Sequence, residues 1–289
     1  MNYIKLKNIS LNYPLYLTSS MSIRKAIFEF FLFKNKLVNK KKPKHIKALD
    51  RISIELKPGD RLGVTGDNGA GKSSMLNVIS GFYVPQEGDV IFQGSSRPSL
   101  KPFEVAHQGI ARTFQNIALF QGMTVLENIM TGRNLFMKST WLEQGLNIGR
   151  AREEERSNRL AVEKVIKFLQ IESIRKTPVA KLPYGLQKRV ELGRALVAEP
   201  KILLLDEPMA GMNLEEKADM SCFILEINKE QGITTVMIEH DMGVVMDISD
   251  HVMVMDMGER ISFGTPDEVR GDPRVIEAYL GTTDHKEVA

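Results

Sequence analysis

The chain has 289 residues, of which 43% are hydrophobic, and its formal net charge is +3. This length allows one large domain or two small ones, and the composition is that of a globular protein with a sizeable core. The single cysteine excludes an internal disulfide, and no run of 18 apolar residues is present that would cross a membrane. Charges interrupt every early apolar run, so the sequence predicts no secretory signal. We therefore expect a cytoplasmic protein.

The charge is distributed unevenly along the chain. Residues 1–60 contain 13 Lys and Arg against 4 Asp and Glu, so this part carries +9 and the remainder carries −6. A basic region of this kind meets nucleic acid, anionic lipid or an acidic partner, or is a solvated face. Composition alone leaves these alternatives open.

The N-terminal part predicts a β-hairpin that is interrupted by an insertion. Polar and apolar residues alternate over Tyr3–Leu11, and a second strand is predicted at Ile52–Leu56. Between them, residues 14–45 form an amphipathic basic insertion, in which residues 21–37 show helical spacing of apolar side chains. Such a segment either contacts a membrane surface or partner, here through residues 21–44, or packs on its own domain.

A glycine-rich loop follows the predicted strand Arg61–Thr65. Residues 66–73 match the spacing G-x-x-x-x-G-K-[ST], and a helix is predicted to begin at Ser74. In this context backbone N–H groups point at phosphates, Lys72 adds a positive charge, and Ser73 offers a hydroxyl ligand to Mg²⁺. We therefore predict binding of ATP or GTP through Gly66, Asp67, Asn68, Gly69, Ala70, Gly71, Lys72, Ser73 and Ser74.

Two further predicted strands end in chemically active side chains. The continuous apolar strand Lys201–Leu205 is followed by Asp206 and Glu207. At the carboxyl edge of an α/β sheet, Asp206 is suited to hold Mg²⁺ and Glu207 to orient and deprotonate an attacking water. The strand Ile233–Ile238 precedes His240, which either has a structural role, as a lone histidine usually does, or hydrogen-bonds a γ-phosphate. Its place after a third strand favours the second role.

The remaining predictions concern a loop amide, the middle of the chain and the cysteine. Gln115 is a neutral amide that either ligates Mg²⁺ or water, or is a surface polar residue. The pattern over Val125–Thr177 is helical, and strands that alternate with helices predict an α/β fold. Cys222 lies in an apolar helical run, which predicts a buried, inert thiol.

These motifs, in this order, resemble the ATP-binding subunits of ABC transporters, and the resemblance covers nearly the whole chain. It implies a P-loop NTPase (RecA-like) core with an antiparallel β subdomain and an inserted α-helical subdomain. ATP and Mg²⁺ are the implied cofactors. The implied catalytic residues are Glu207, His240, Lys72 and Gln115, and the implied metal ligands are Ser73, Gln115 and Asp206.

The resemblance also implies an organisation within one ABC ATPase domain spanning residues 1–289. The nucleotide-binding core is expected at residues 1–117 and 186–265 and the helical subdomain at residues 118–185. Residues 266–289 are expected to form a C-terminal helix and tail.

The signature loop departs from the family pattern. Family ATPases work as head-to-tail dimers, in which this loop closes over the nucleotide of the other subunit, so Gly185, Leu186 and Gln187 are expected to contact nucleotide. Pro183 replaces the usual serine and Tyr184 replaces the first glycine. We therefore expect hydrolysis with fewer direct contacts to the γ-phosphate.

Two positions elsewhere complete the family comparison. Tyr13 resembles the aromatic residue that stacks on adenine, although Tyr16 is nearby. Asn213 stands where the family usually has an aspartate, which affects how the two sites of a dimer would signal to each other.

Two parts of the chain resemble different transporters. From about residue 95 onward it resembles ATPases of branched-chain amino-acid importers, whereas residues 1–94 resemble exporters of polysaccharide such as O-antigen or teichoic acid, with a seam near Gly94–Pro102. In the family that the chain resembles, the groove for the membrane partner is built around the loop that corresponds to Gln115 and the helical lobe, and both lie in the importer-like part here. Import of branched-chain amino acids is therefore favoured over polysaccharide export.

The resemblance implies transmembrane permease subunits and a second ATP-binding subunit, identical or different, as partners. The expected location is peripheral, at the cytoplasmic face of the inner membrane. ABC-type ATPases that act on DNA or ribosomes usually carry two cassettes or a long coiled coil, so nucleic acid is not expected. A module with little hydrolysis is the remaining alternative, favoured by Pro183 and opposed by Glu207 and His240.

Overall fold

The computed structural model describes residues 4–15, 44–97, 99, 101–140, 143 and 149–280. The helix predicted within residues 21–37 lies outside these ranges, as do the last nine residues of the predicted tail. Within the described ranges, no helix combines the length and apolar character that a membrane crossing requires.

The elements alternate between strands and helices over most of the chain. The strands are β1 (Ile4–Leu15), β2 (Lys44–Leu56), β3 (Arg61–Gly66), β4 (Glu87–Phe92), β5 (Ser95–Ser96), β6 (Ile110–Arg112), β7 (Ile202–Asp206), β8 (Thr234–Ile238), β9 (His251–Asp256) and β10 (Glu259–Gly264). The helices are α1 (Lys72–Ile79), α2 (Pro102–His107), α3 (Val125–Met130), α4 (Arg150–Phe168), α5 (Tyr184–Leu196), α6 (Leu214–Gln231), α7 (Met242–Ile248), α8 (Pro266–Arg270) and α9 (Pro273–Leu280). Short 3₁₀ turns lie at Thr131–Phe136, Glu172–Ile174 and Val179–Lys181.

The smaller sheet is antiparallel, with the strand order β2-β1-β4-β5. The predicted hairpin is present, and both of its strands are longer than predicted. β1 and β2 pair from Ile4 opposite Leu56 as far as Leu15 opposite Lys44. The ends of the predicted insertion, at residues 14–15 and 44–45, therefore belong to the sheet. This extension brings the far end of the hairpin to the glycine-rich loop.

The larger sheet has the strand order β10-β9-β3-β8-β7-β6, in which β10 is antiparallel to β9 and the other neighbours are parallel. Val64 of β3 pairs with Ile238 of β8, and Ile238 pairs with Asp206 of β7. Because parallel strands end at the same edge, the segments that follow β3, β7 and β8 meet there. The glycine-rich loop, the pair Asp206–Glu207 and His240 lie where these three strands end.

The continuous apolar run of β7 is explained by burial on both faces of the sheet. Leu203 and Leu205 belong to a core shared with helices α3 to α7, whereas Ile202 and Leu204 belong to a core shared with the antiparallel sheet and α1. Side chains alternate along a strand, so a strand that separates two cores must be apolar at every position.

The structure corrects the prediction for Cys222, which is exposed. The residue lies on α6, whose buried positions are Met220, Phe223, Ile224 and Ile227. These side chains form one stripe along the helix, and Cys222 projects beside that stripe. The prediction of a buried thiol is therefore wrong, because a local apolar run in a helix does not identify its buried face.

Candidate nucleotide-binding site

The glycine-rich loop connects β3 to α1 in a conformation that requires glycine at specific positions. Gly66 has φ +141° and Gly71 has φ +99°. A Cβ atom would lie 2.0 Å from the carbonyl oxygen of Met255 at Gly66, and 2.5 Å from that of Ala48 at Gly71. Both the backbone conformation and the packing of the two sheets against the loop therefore exclude larger residues.

Lys72 is held inside the loop at the start of α1. Its Nζ donates to the carbonyl oxygens of Gly66, at 2.7 Å, and Asp67, at 2.9 Å. Burial lowers the pKa of Lys72, while the negative charges of Glu207, Asp67 and Asp206 oppose that change. The ammonium group is thus placed where a phosphate oxygen can replace the carbonyl acceptors.

A cavity of about 420 Å³ lies in front of the loop. The structure brings most of the predicted site together here, although Gly66 and Asp67 face a different depression and reach the site through Lys72. Ile46, Lys47 and Ala48 also line the cavity and were not predicted, because their strand was predicted to begin only at residue 52. The predicted residues that line it are Tyr13, Asn68, Gly69, Ala70, Gly71, Lys72, Ser73, Ser74, Gln115, Glu207 and His240.

Tyr13 lines the cavity beside the glycine-rich loop. Its Oη is 3.2 Å from Oγ of Ser74, and its ring packs edge-on against Tyr83 with centroids 5.5 Å apart. Burial raises the pKa of Tyr13. The ring therefore offers a fixed aromatic surface beside the loop, while Tyr16 lies outside the described residues.

Three of the predicted catalytic residues meet at one carboxylate oxygen. Oε1 of Glu207 accepts a hydrogen bond of 3.0 Å from Nε2 of Gln115 and lies 3.0 Å from Nε2 of His240. The backbone of Glu207 has φ +50°, a left-handed conformation that is costly for a residue other than glycine. The backbone N–H of Glu207 donates to the carbonyl oxygen of Ile238 at 3.0 Å, which ties the strained turn to β8.

The three predicted metal ligands are not equally exposed to the cavity. Ser73 and Gln115 line it, whereas Asp206 is buried behind it and is not among the lining residues. Oδ2 of Asp206 accepts a hydrogen bond of 2.8 Å from Nη2 of Arg112, and its buried Oδ1 has no hydrogen-bond partner among the described residues.

These residues fit Mg²⁺ rather than a metal held wholly by protein. The described part of the chain contains no group of three His, Cys, Asp or Glu residues that could hold a metal ion. Mg²⁺ keeps several waters and binds through one or two protein oxygens together with phosphates. The Ser73 hydroxyl, the Gln115 amide oxygen and, behind them, Oδ1 of Asp206, unpaired among the described residues, meet that requirement.

Two buried charged residues of α5, neither of them predicted, hold the loop that contains Gln115. Lys188 donates through Nζ to the carbonyl oxygens of Gln115, at 3.1 Å, and Glu207, at 3.4 Å. Oε1 of Glu191 accepts from the backbone N–H groups of Phe114 and Ala118, and burial raises the pKa of Glu191. The sequence signal that could have identified them is the i, i+3 spacing of the opposite charges of Lys188 and Glu191 on a helix that also carries buried apolar residues.

The predicted signature residues lie at the start of α5, away from the cavity. Gly185, Leu186 and Gln187 are not among the described residues that line it. Pro183 occupies the N-cap position of this helix without a side-chain hydrogen bond, and Nε2 of Gln187 donates to the carbonyl oxygen of Leu182 at 2.9 Å. Contact of this loop with the nucleotide of a second subunit stays a prediction.

Asn213, the other departure from the family pattern, has a local structural role as the N-cap of α6. Its Oδ1 accepts from the backbone N–H of Glu216, whose carboxylate accepts from the backbone N–H of Asn213. The amide thus supplies the same helix-capping oxygen that an aspartate would.

A glycine loop that leads from a parallel strand into a helix, with its lysine and two carboxylates at the same sheet edge, defines a P-loop nucleotide-binding protein. Comparison with known proteins gives the family. A family model described as "ABC transporter" matches residues 49–210, and one described as "Branched-chain amino acid ATP-binding cassette transporter" matches residues 259–285. The chain belongs to the ABC transporter ATP-binding family and is an ATPase of that class.

Curated relatives and solved structures agree with this assignment. The chain is 34% identical over 237 residues to the high-affinity branched-chain amino acid transport ATP-binding protein BraF of Pseudomonas aeruginosa. It is 36% identical over 242 residues to LivG of Escherichia coli K12, a protein with the same description. Each alignment covers 81% of this chain and 92% of the relative.

Two solved structures cover nearly the whole chain. One is a nucleotide-free ATP-binding cassette from an ABC transporter, with 30% identity, a TM-score of 0.73 and coverage of 96% of this chain and 99% of that one. The other is the ADP conformation of an ATP-binding cassette, with 31% identity, a TM-score of 0.74 and coverage of 97% and 99%. The predicted fold class is confirmed, and the chain is a nucleotide-binding cassette.

The relatives also bear on the two-part resemblance. An alignment that covers 81% of the chain is longer than residues 95–289, so the similarity to branched-chain relatives extends into the first 94 residues. The importer-like resemblance is confirmed and crosses the predicted seam. The exporter-like resemblance of residues 1–94 receives no support from these relatives.

Proposed function

We propose that this chain is the ATP-hydrolysing subunit of an importer of branched-chain amino acids. The observation that carries the hydrolytic part is the meeting of Gln115 and His240 at Oε1 of Glu207, beside the cavity of the glycine-rich loop. The proposed assignment of the transported substrate rests on two relatives described as branched-chain amino acid transport proteins, BraF and LivG, to which the chain is 34% and 36% identical.

In this proposal the two sides of the cavity divide the chemistry. The loop amides and Lys72 hold the phosphates, and Tyr13 provides a surface for the base. Glu207 orients the attacking water and accepts its proton, while Gln115 and His240 hold the carboxylate in place. Ser73 and Gln115, with Oδ1 of Asp206 behind them, would hold Mg²⁺ or its waters, and the metal would neutralise charge on the phosphates when it is bound.

The active unit in this proposal contains two cassettes. Gly185, Leu186 and Gln187 do not line the cavity of their own chain, so a second ATP-binding subunit would bring them to the nucleotide. Binding of ATP would close the pair of cassettes, and hydrolysis would reopen it. This alternation would drive transmembrane permease subunits between two states. The chain would then sit peripherally at the cytoplasmic face of the membrane.

Hydrolysis is tested with the purified chain and Glu207→Gln. We expect Mg²⁺-dependent ATP hydrolysis to fall about 100-fold or more in the variant, because the water loses its base, while ATP affinity is retained. Glu259→Gln, an exposed glutamate on β10, is the matched control and should hydrolyse ATP like the unaltered chain. Full turnover by Glu207→Gln would remove this residue as the base.

The transported substrate needs a separate test in cells. Deletion of the gene should abolish high-affinity uptake of radiolabelled leucine, and the unaltered chain should restore it while Glu207→Gln should not. Unchanged leucine uptake together with a defect in cell-surface polysaccharide would instead establish the export alternative.

A further inference from the structure

Arg112 joins three parts of the nucleotide site through one buried side chain. It is the last residue of β6, three positions before Gln115, and its side chain is 9% exposed. Nη2 donates to Oδ2 of Asp206 at 2.8 Å, and the Asp206 side chain is 4% exposed. A guanidinium and the aspartate expected to serve Mg²⁺ thus form a buried ion pair.

The other side of the guanidinium is fixed to α1, the helix that begins with Lys72. Nη1 donates to Oδ1 of Asn77 at 2.6 Å and to Oγ of Ser80 at 3.1 Å. The rings of Phe82 and Phe114 lie 5.9 and 5.4 Å from the guanidinium carbon. A planar fork with several fixed donors can bridge these acceptors at once, which a lysine ammonium group cannot do in the same way.

The hydrogen-bond pattern at Asp206 is asymmetric. Arg112 occupies Oδ2, while the buried Oδ1 has no hydrogen-bond partner among the described residues. A buried carboxylate oxygen without a partner is costly unless another group satisfies it. The negative charge of Asp206 also acts on Lys72, so the carboxylate lies close to the phosphate site.

We propose that Arg112 is a positioning residue that holds Oδ2 of Asp206 so that Oδ1 stays available to Mg²⁺ or its waters. This inference rests on the proposed function, since it assigns a task to a residue behind the same site. Arg112 is not among the described residues that line the cavity, so in this proposal it acts through Asp206. Its role is that of the outer partners which orient metal ligands in other proteins.

The alternative is that Arg112 competes with Mg²⁺ for Asp206. A competing cation would have to leave when the metal arrives. Arg112 is held by Asn77 and Ser80 independently of Asp206, and its contacts with the rings of Phe82 and Phe114 restrict it further. Both properties favour a fixed support, and the two ideas predict opposite effects on Mg²⁺ affinity.

The test measures binding of a fluorescent ATP analogue to the full chain in a Glu207→Gln background, so that nucleotide is not consumed. Binding is recorded in EDTA and then across a Mg²⁺ titration. For Arg112→Met, we expect binding in EDTA within about twofold of the background protein, and a Mg²⁺ concentration for half-maximal enhancement that is about 10- to 100-fold higher. Arg112→Lys should show a smaller rise.

Controls separate positioning from general damage. Arg133→Met removes another buried arginine, one that pairs with Glu199 and lies outside the cavity lining, and should leave the Mg²⁺ midpoint unchanged. If Arg112→Met does not fold, Asn77→Ala and Ser80→Ala each remove one support of Nη1 and should raise the midpoint in the same direction. Adding Arg112→Met to Asp206→Asn should cause no further rise, because Arg112 acts only through the carboxylate that Asp206→Asn has already replaced.

The outcomes distinguish this inference from the proposed function. An unchanged Mg²⁺ midpoint in Arg112→Met, Asn77→Ala and Ser80→Ala would overturn the positioning role, and a lower midpoint would establish competition instead. In both cases the proposed function would stand. Absence of any Mg²⁺ effect on nucleotide binding in the background protein would overturn both.

Discussion

The two walls of the nucleotide cavity are built in different ways. The wall formed by Asn68–Ser74 consists of consecutive residues of the glycine-rich loop. Its geometry is set by local φ angles and by the contacts of Lys72 with the carbonyl oxygens of Gly66 and Asp67. The facing wall consists of Gln115, Glu207 and His240, which follow three different strands and meet at one oxygen atom. The first wall depends on local sequence and the second on sheet topology, so binding and hydrolysis should be separable by substitution.

The largest effect is expected from breaking the backbone wall. Gly66→Val places a β-branched residue at φ +141° and a Cβ 2.0 Å from the carbonyl oxygen of Met255. We expect the free energy of unfolding to fall by about 4 kcal/mol or more and nucleotide binding to be lost. Denaturant unfolding and equilibrium binding would measure this.

Gly69→Ala is the matched control for that variant. Gly69 has φ +86°, but no atom lies within 4 Å of the position of an added Cβ. The expected loss of unfolding free energy is only about 1–2 kcal/mol, from the left-handed conformation alone. Equal losses in the two variants would show that the contact with Met255 is unimportant.

A smaller effect is expected from removing the charge of the same wall. Lys72→Ala should weaken ATP binding about 10- to 100-fold, because charge-assisted hydrogen bonds to phosphate are lost. Lys47→Ala is the control, since Lys47 also lines the cavity but is paired with Asp50 on the surface. That variant should weaken ATP binding about fivefold at most. Comparable losses in equilibrium binding would contradict a special role for Lys72.

The facing wall is tested through its support on α5. Lys188→Met removes the donor to the carbonyl oxygens of Gln115 and Glu207. We expect the rate of ATP hydrolysis to fall about tenfold, because the side-chain cluster is displaced, with ATP affinity changed by less than about twofold. Lys229→Met, on the exposed side of α6, should have neither effect. A loss of affinity without a loss of rate would argue against separable walls.

The smallest effect concerns the pH dependence of stability. Burial raises the pKa of Glu191, so its proton binds more tightly in the folded protein than in the unfolded chain. The resulting stabilisation is complete below the ordinary value of 4.5 and is lost as the pH rises through the folded pKa. The unfolding free energy of the unaltered chain, relative to Glu191→Gln, should therefore decrease above pH 4.5. A difference that increases with pH would show that Lys188 and Arg194 dominate instead.

The same contrast explains what sequence reasoning found and missed. Gly66–Ser74 and the pair Asp206–Glu207 were predicted because each is a local pattern whose strand context is also local. Arg112, Lys188 and Glu191 were missed, because their partners lie at least 73 residues away or on another element. Side-chain contacts between elements that are distant in sequence cannot be predicted from the local spacing of residues.

Two other differences have the same origin. Ile46–Ala48 reached the cavity through pairing with β1, which follows from strand register rather than from local composition. Cys222 was exposed because the buried stripe of α6 is set by what packs against the helix. The subdomain boundaries and the residue roles in catalysis stay predictions.

The left-handed backbone of Glu207 has a consequence for how this protein can evolve. At φ +50° glycine and asparagine are tolerated best, whereas a glutamate is strained. Glu207→Gly would relieve the strain and remove the carboxylate in a single change, so the proposed role of Glu207 as the base predicts a more stable fold that no longer hydrolyses ATP. Selection for stability alone would therefore favour loss of the carboxylate at this position, whereas the proposed catalytic role would favour a glutamate.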